Sequence, residues 1–403
     1  MQVTIHRGTQ EIGGSCVELK TDKTRLLIDF GQPLDEEIEK PSYPKILPDA
    51  VLISHSHMDH YGLLGHIHPD IPVYMSQGAK ELIEVSNIFT PNKTGKINTR
   101  IVKPKKPFVV GDMTVTPYQV DHSAFDALTF LVEGEGKRIF YSGDFRGHGR
   151  KSALFKMMLE APPKDIDCLI MEGSMLGRGA QEYKDEKEVE ARIARILEER
   201  KEITFLFASS QNIDRIVSAY RACLKTDSVF VIDLYTAFIL DKLRKVSKNI
   251  PQFNWKNIRV KFLGYHAKCL ESAGYRDLLF VYNKRKIDLF EIARMKNRIL
   301  MLARDNSFFP IAVKELDGAR GAKIIYSMWQ GYLTDEFKAY CEREGLIIEP
   351  VHTSGHAIIE DLQAFAKALN PRVLIPIHTF EAERYPKLFQ NVKILTDGEE
   401  YQV

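Results

Sequence analysis

Three imidazoles and a carboxylate fall within the stretch Ser54-His55-Ser56-His57-Met58-Asp59-His60, directly after the apolar run Ala50 to Ile53. Neutral ring nitrogens and an anionic oxygen crowded onto one tight loop suit one or two divalent metals. A solvated histidine-rich turn accounts for any one of these residues, but not for the set once further candidates follow other strands. His55 and His57 stand at i and i+2, so both rings can face one side of an extended segment. Asp59 and His60 are left for a second ion. Three more predicted strands end in candidate ligands: Asp121-His122 after Met113 to Gln119, Asp144 after Arg138 to Ser142, and His378 after Val373 to Pro376. Each alone is ordinary loop chemistry. Combined, they complete two sites, with His55, His57 and His122 on one metal, Asp59, His60 and His378 on the other, and Asp144 bridging, close to the ligand count of a two-metal hydrolase.

The elements that must position these residues are of two kinds. Up to about residue 145 the chain reads as short strands (Val3 to His6, Ser15 to Leu19, Arg25 to Asp29, Ala50 to Ser54, Val73 to Met75, Phe108 to Val110, Met113 to Gln119, Leu128 to Glu133, Arg138 to Ser142). They run apolar or alternate between Gly, Pro, Asp and Lys turns, as sheets packed face to face would. Gly78 to Ile88 is the clearest helix there. From Asp185 to Arg200 the character changes, with Val189, Ile193, Ile196 and Leu197 on one helical stripe. Strand and helix then alternate from Ile203 to Glu344, with Gly264 to Arg294 largely helical, which predicts right-handed crossovers and a mainly parallel sheet. Strand Ile347 to Val351, helix Ile358 to Leu369, strand Val373 to Pro376 and a short strand Val392 to Leu395 complete the series.

With 403 residues, 44% of them hydrophobic, the chain can bury a core and divide into two domains. A net charge of +2 neither requires nor excludes a nucleic-acid partner, because a basic groove is compatible with overall neutrality. Cys16, Cys168, Cys223, Cys269 and Cys341 show no C-x-x-C spacing, which argues against a disulfide framework and a cysteine zinc site. Met1 to Arg7 lacks the pattern of a secretory leader, and no apolar run reaches membrane-spanning length, so no membrane partner and a cytoplasmic protein are expected.

At this point the residues resemble the metallo-β-lactamase superfamily, and specifically its β-CASP branch of nucleases. His55-x-His57-x-Asp59-His60, His122 and Asp144 match the superfamily's second, third and fourth motifs, and Asp29 in Leu26-Leu27-Ile28-Asp29-Phe30-Gly31 matches the first. Glu172 in Met171-Glu172-Gly173-Ser174 looks like β-CASP motif A, His356 in Thr353-Ser354-Gly355-His356-Ala357 like motif B, and His378 like motif C. The opening Gly8-Thr9-Gln10-Glu11-Ile12-Gly13-Gly14 is similar to the start of RNase J-like members. The resemblance implies an αββα metallo-β-lactamase sandwich with an inserted β-CASP α/β domain of mainly parallel sheet. The expected segments are 1–160 and 350–403 for the discontinuous sandwich and 161–349 for the insert.

The activity implied is hydrolysis of RNA phosphodiester bonds, exo- or endonucleolytic, by a two-metal hydroxide mechanism on single-stranded substrate. Zn²⁺ is the first expectation for the metals, with Mn²⁺ or iron as alternatives. Asp59 would ligate metal and orient or deprotonate the nucleophile; His356 would protonate the leaving oxygen, with Glu172 holding it. Asp29 would hydrogen-bond to the metal loop and brace it, setting the orientation of the ligands. His352 and Ser354, where a strand meets a helix N-terminus, would contact substrate phosphate, as would Ser209 and Ser210 beside Gln211 and Asn212, although helix capping alone explains that stretch. Arg215 is a weaker candidate. Asp121 could brace its neighbour or cap a turn, with the turn preferred; His66, His68, His148 and His266 read as surface or structural; and Trp329 and Tyr332 could stack on bases, with core packing preferred. His378 favours RNA over DNA, since members acting on RNA tend to carry His at motif C. A DNA nuclease of the same family and a small-molecule metallo-hydrolase on the same scaffold are the alternatives; a homo-oligomer is compatible with either.

Overall fold

The structure, a computed structural model, describes residues 1–34, 46–91, 93–179, 181–316 and 319–403. Two units make up the chain, one of residues 1–179 and 355–403 and the other of residues 180–354.

The first unit opens with β1 (Gln2–Arg7), β2 (Cys16–Lys20), β3 (Arg25–Ile28), β4 (Ala50–Leu52), β5 (Pro72–Met75) and β6 (Asn98–Ile101), then β7 (Phe108–Val110), β8 (Met113–Gln119), β9 (Leu128–Gly134), β10 (Lys137–Tyr141) and β11 (Cys168–Glu172). The second unit holds β12 (Thr204–Phe207), β13 (Val229–Asp233), β14 (Ile258–Lys261), β15 (Lys286–Ile287), β16 (Ile299–Ala303), β17 (Lys323–Tyr326) and β18 (Ile347–Pro350). The chain then returns to the first unit with β19 (Val373–Ile377) and β20 (Glu400–Gln402).

Two sheets build the first unit, in the orders β20-β1-β2-β3-β4-β5-β6 and β19-β11-β10-β9-β8-β7. Alternation along each strand divides its side chains between two cores. Phe130 and Ile139 point inward with Val17, Leu26 and Leu52 of the facing sheet, whereas Leu131 and Phe140 point outward onto Phe155 of helix Ser152–Glu160 and Leu362 and Phe365 of helix Ile359–Leu369. On the opposite outer face Leu27, Val51 and Ile53 meet Ala79 and Ile83 of helix Gln77–Phe89. The result is an αββα sandwich, each buried Leu, Ile or Phe contributing roughly 1.5–3 kcal/mol. β19 lies parallel beside β11, with His378 following Ile377 and Glu172 paired with Ile377, so the return segment is an integral strand of the second sheet. The expected boundary at residue 160 falls short of β11, whose place between β10 and β19 keeps residues up to 179 in this unit.

In the second unit the sheet runs β15-β14-β13-β16-β12-β17-β18, and every pairing in it is parallel. Its helices start on side-chain caps: Asp185 accepts from the Lys187 and Glu188 amides, Asn212 from Arg215, and Asp233 from Thr236. Two expectations need correction. Val392 to Leu395 is no strand but a single bridge, Leu374 to Val392. β6, β11, β15 and β20 stand where no strand is expected: β6 and β20 are half-exposed edge strands without clean alternation, β11 is a wholly buried, mainly apolar run, and β15 interrupts the stretch expected to be largely helical.

Candidate metal centre and active site

Every ligand candidate leaves the carboxyl end of a strand of the first unit: the His55–His60 loop after β4, His122 after β8, Asp144 after β10 and His378 after β19. The β4 loop turns into the short helix Met58–Tyr61, and it is pinned from below by Phe30 N donating to His60 O (2.8 Å) and Gln32 N to Met58 O (3.0 Å). Any β-carbon on Gly31 would collide with the Asp59 carbonyl, so this approach needs glycine.

Asp144 sits at the centre. Its Oδ2 lies 3.2 Å from His60 Nε2, 3.6 Å from His378 Nε2, 3.7 Å from His55 Nε2 and 4.0 Å from His122 Nε2. His57 Nδ1 stands 3.2 Å from both His55 Nε2 and His122 Nε2, and Asp59 Oδ2 is 3.7 Å from His378 Nε2 and 3.9 Å from His60 Nε2. Donor atoms about 2.1 Å from one tetrahedral ion are about 3.4 Å from each other, which is the spacing found here. Both Asp144 oxygens, His60 Nε2 and His378 Nε2 are buried without a hydrogen-bond partner among the described residues. Buried groups of this polarity are normally paired, and this donor set fits divalent cations. The groups His55-His57-His122, His55-His60-Asp144 and Asp59-His60-His378 each converge closely enough to hold one.

Hydrogen bonds on the far side of His60, His55 and His122 favour the tautomer that leaves Nε2 facing the site. Asp29, in a left-handed backbone conformation at φ 58°, accepts from Ser54 N (2.7 Å), Ser54 Oγ (2.7 Å), His60 Nδ1 (2.8 Å) and Tyr141 OH (2.8 Å). His60 Nε2 is thereby left to face Asp144. Ser54 Oγ, having given its proton to Asp29, can accept from His55 Nδ1 at 3.0 Å. His122 Nδ1 donates to the Gly355 carbonyl at 2.6 Å, whereas His378 Nδ1 accepts from Gly13 N at 3.2 Å and lies 3.0 Å from Ser15 Oγ. Burial, followed by neighbouring imidazoles, holds His55 and His122 well below the usual histidine range, and burial pulls His57 down to about 4. These rings are neutral near pH 7, the form that ligates. At His60 burial opposes protonation, but Asp144 and Asp29 more than offset it. The same carboxylate field favours a cation at Nε2.

Glu172, at the end of β11, accepts from Phe145 N (3.0 Å) on Oε1, and its Oε2 lies 3.1 Å from His356 Nδ1. His356 Nδ1 is also 3.6 Å from Asp144 Oδ2. Burial works against the charged His356 ring, and Glu172 and Asp144 outweigh it to raise the ring's proton affinity. With Nδ1–H given to Glu172, Nε2 is the nitrogen available to a substrate.

The second unit holds the other candidates. Arg215, fully buried, pairs with Glu186 through Nη2 (2.9 Å) and donates to the carbonyls of Ser327 (3.0 Å) and Thr353 (3.3 Å); its Nη1 lies 3.5 Å from His352 Nδ1. Ser354 N donates to Gln181 Oε1 (3.1 Å). Ser209 is exposed, but Ser210 is buried and its hydroxyl meets Thr236 Oγ1 at 2.6 Å and Arg304. Trp329 and Tyr332 are 46% and 61% exposed, not core, because they belong to a 3-10 turn after β17 in which no residue is buried. His66 and His68 are exposed, whereas His148 and His266 are largely buried beside Asp361 and Asp233.

Two contributors lie outside the sequence expectations. Tyr141 and Ser15 are ordinary residues of predicted strands by pattern, and only the fold brings them to Asp29 and His378. Asp121 does more than cap a turn, because its carboxylate meets buried Arg146 at 3.2 Å. Replacing Tyr141 by phenylalanine removes one of the Asp29 donors; the expected cost is about 1–2 kcal/mol by chemical denaturation of the metal-free protein, and an unchanged midpoint would show the hydroxyl to be idle.

Residues 25–187 match a family model described as the β-lactamase superfamily domain. "Probable RNase MJ4" of Methanocaldococcus jannaschii is 31% identical over 227 residues, 51% of this chain and 51% of that protein. Ribonuclease J of Helicobacter pylori is 21% identical over 94% of this chain and 56% of its own length. Residues 25–187 therefore resemble the metallo-β-lactamase superfamily, and these relatives carry ribonuclease names. The chain thus spans little more than half the length of these two relatives. The transcription termination factor FttA of Methanothermobacter thermautotrophicus is 27% identical over 44% of this chain. A crystal structure of a protein of unknown function from Enterococcus faecalis shares the fold over 99% of both chains, with a TM-score of 0.78 at 20% identity. The inserted parallel-sheet unit is consistent with a β-CASP domain, and the His/Asp groups are consistent with divalent-metal binding. Among the described residues no helix is long and apolar enough to cross a membrane.

Proposed function

We propose that this chain is a metal-dependent ribonuclease cleaving phosphodiester bonds of single-stranded RNA. One observation carries the reading: the Glu172–His356 pair stands 3.6 Å from the carboxylate on which four ligand imidazoles converge. A small-molecule hydrolase needs the metals but has no use for that pair. His55, His57 and His122 would hold one divalent ion and Asp59, His60 and His378 the other, with Asp144 shared; zinc suits this donor set, and manganese or iron are the alternatives. Bound there, the cations would activate water near neutral pH and offset the charge building on the phosphoryl oxygens. Asp59 would take the proton of the attacking water. His356, its Nδ1–H held by Glu172, would give a proton from Nε2 to the leaving oxygen. Asp29, Ser54, Tyr141 and Ser15 would fix the ring orientations. His352, Ser354 and Ser209 would contact phosphate, with buried Ser210 ordering the loop that presents Ser209.

The names of the relatives support RNA over DNA, as does His378. Five free cysteines, four of them buried thiols, support a reducing cytoplasm. A homo-oligomer belongs to the same reading and is measurable by light scattering. The deciding assay incubates the purified protein with 5′-labelled RNA and matched single-stranded DNA, with and without chelator. Chelator-sensitive cleavage of RNA, at least tenfold faster than of DNA, is expected. Turnover of a small ester with neither polymer cut would replace this proposal by a small-molecule hydrolase.

A further inference from the structure

His122 and Asp144 follow β8 and β10, and β9 lies between those strands, so no backbone ladder joins the two ligand loops directly. Something else must fix their separation, since His122 Nε2 stands 4.0 Å from Asp144 Oδ2 across a site that tolerates errors of only a few tenths of an ångström. The neighbours of the two ligands supply it. Asp121 immediately precedes His122, and Arg146 follows Asp144 by two residues. Both are fully buried; Arg146 Nε lies 3.2 Å from Asp121 Oδ1, and Arg146 N donates to the Asp121 carbonyl at 2.7 Å. Lys151 N donates to Asp121 Oδ2 at 3.1 Å, closing the 146–151 loop over the pair. A β-carbon on Gly149 would collide with both charged groups, so the backbone covers them as tightly as glycine permits.

We propose that Asp121 and Arg146 form a positioning pair, a clamp that sets the His122-to-Asp144 spacing and thereby the metal affinity of the centre. The inference rests on the metal-centre reading above, and neither residue touches a ligand position itself. A buried ion pair adds little net stability over an apolar pair of similar volume, because desolvation offsets its Coulombic gain. Its value here is directional: a salt bridge plus two backbone hydrogen bonds defines one relative placement of the two loops. Outer-shell partners of this kind typically change metal affinity 10–100-fold when lost.

The test is Zn²⁺ affinity by competition with a chromophoric chelator, together with the visible spectrum of the Co²⁺-loaded protein. It compares wild type, Arg146→Lys, and the double variant Asp121→Leu/Arg146→Met, which leaves no unpaired buried charge. Zn²⁺ affinity is expected to fall roughly 10–100-fold in the double variant and in the same direction for Arg146→Lys, which keeps the charge but shortens and reshapes the donor. The Co²⁺ bands should shift while circular dichroism retains the folded signature. A folded double variant with wild-type affinity and spectrum overturns the clamp. Should that variant not fold, wild-type affinity in Arg146→Lys overturns it equally. Wild type that binds no Zn²⁺ would instead defeat the metal-centre reading, a separate and distinguishable failure.

Discussion

Asp144→Ala is expected to lower bound metal from about two ions per chain to one or fewer and to reduce phosphodiester hydrolysis by ~10³-fold or more, since a two-metal centre activates water and stabilises the phosphoryl charge as one unit. The magnitude follows from the position of the carboxylate. Its Oδ2 lies within 3.2–4.0 Å of ring nitrogens assigned to both metal positions, so its loss affects both. Asp59→Ala is the milder comparison, because among the described residues the ring nitrogens within 4.0 Å of Asp59 Oδ2 are those of His60 and His378. Its deficit should fall on one ion. Stability gives a second readout independent of activity. Ligand binding to the folded state alone stabilises by RT ln(1 + [L]/Kd), about 4.1 kcal/mol at a thousandfold excess over Kd. Wild type should therefore melt higher with Zn²⁺ than with chelator, and Asp144→Ala should lose most of that difference. Metal analysis after gel filtration that finds two ions still bound to Asp144→Ala would remove the bridging assignment.

Much of this centre can be read without the fold, for a physical reason. The residues assigned as ligands sit where apolar strands give way to polar loops, and at such junctions His55, His57, Asp59, His60, His122, Asp144 and His378 stand out against their surroundings. The supporting residues do not. Tyr141 is a core aromatic by every local criterion, and its hydroxyl matters only because β10 carries it to Asp29, 112 positions away. Ser15 and His378 are 363 positions apart. Nothing in the local sequence marks Arg146, which the fold turns inward onto Asp121. Trp329 and Tyr332 err in the opposite direction: aromatic type suggests burial, but a turn that buries none of its residues leaves them at the surface. The parallel sheet of the second unit is legible from strand–helix alternation. The place of β11 is not, because Cys168–Glu172 is an apolar run whose neighbours, β10 and β19, lie far apart in sequence.

The Glu172–His356 pair makes the sharpest demand on the mechanism. His356→Ala should leave two metals bound, since every assigned ligand is intact, and yet slow RNA cleavage roughly 10²–10⁴-fold in kcat, the contribution typical of a positioned general acid. KM should change much less. The discriminating substrate is one that needs no proton on its leaving group. On an aryl phosphodiester with a nitrophenolate leaving group, His356→Ala should recover to within about tenfold of wild type, because the leaving anion is stable unprotonated and the step that the acid serves no longer limits the rate. Glu172→Gln tests the other half of the pair. The isosteric amide can still accept from Phe145 N, which Oε1 meets at 3.0 Å, so the loop is retained while the charge beside His356 is lost. A kcat deficit in the same direction, and the same recovery on the aryl substrate, are expected. If His356→Ala were equally impaired on both substrates, the ring would be serving substrate binding or the metals, and protonation of the leaving oxygen would have to come from another group or from solvent.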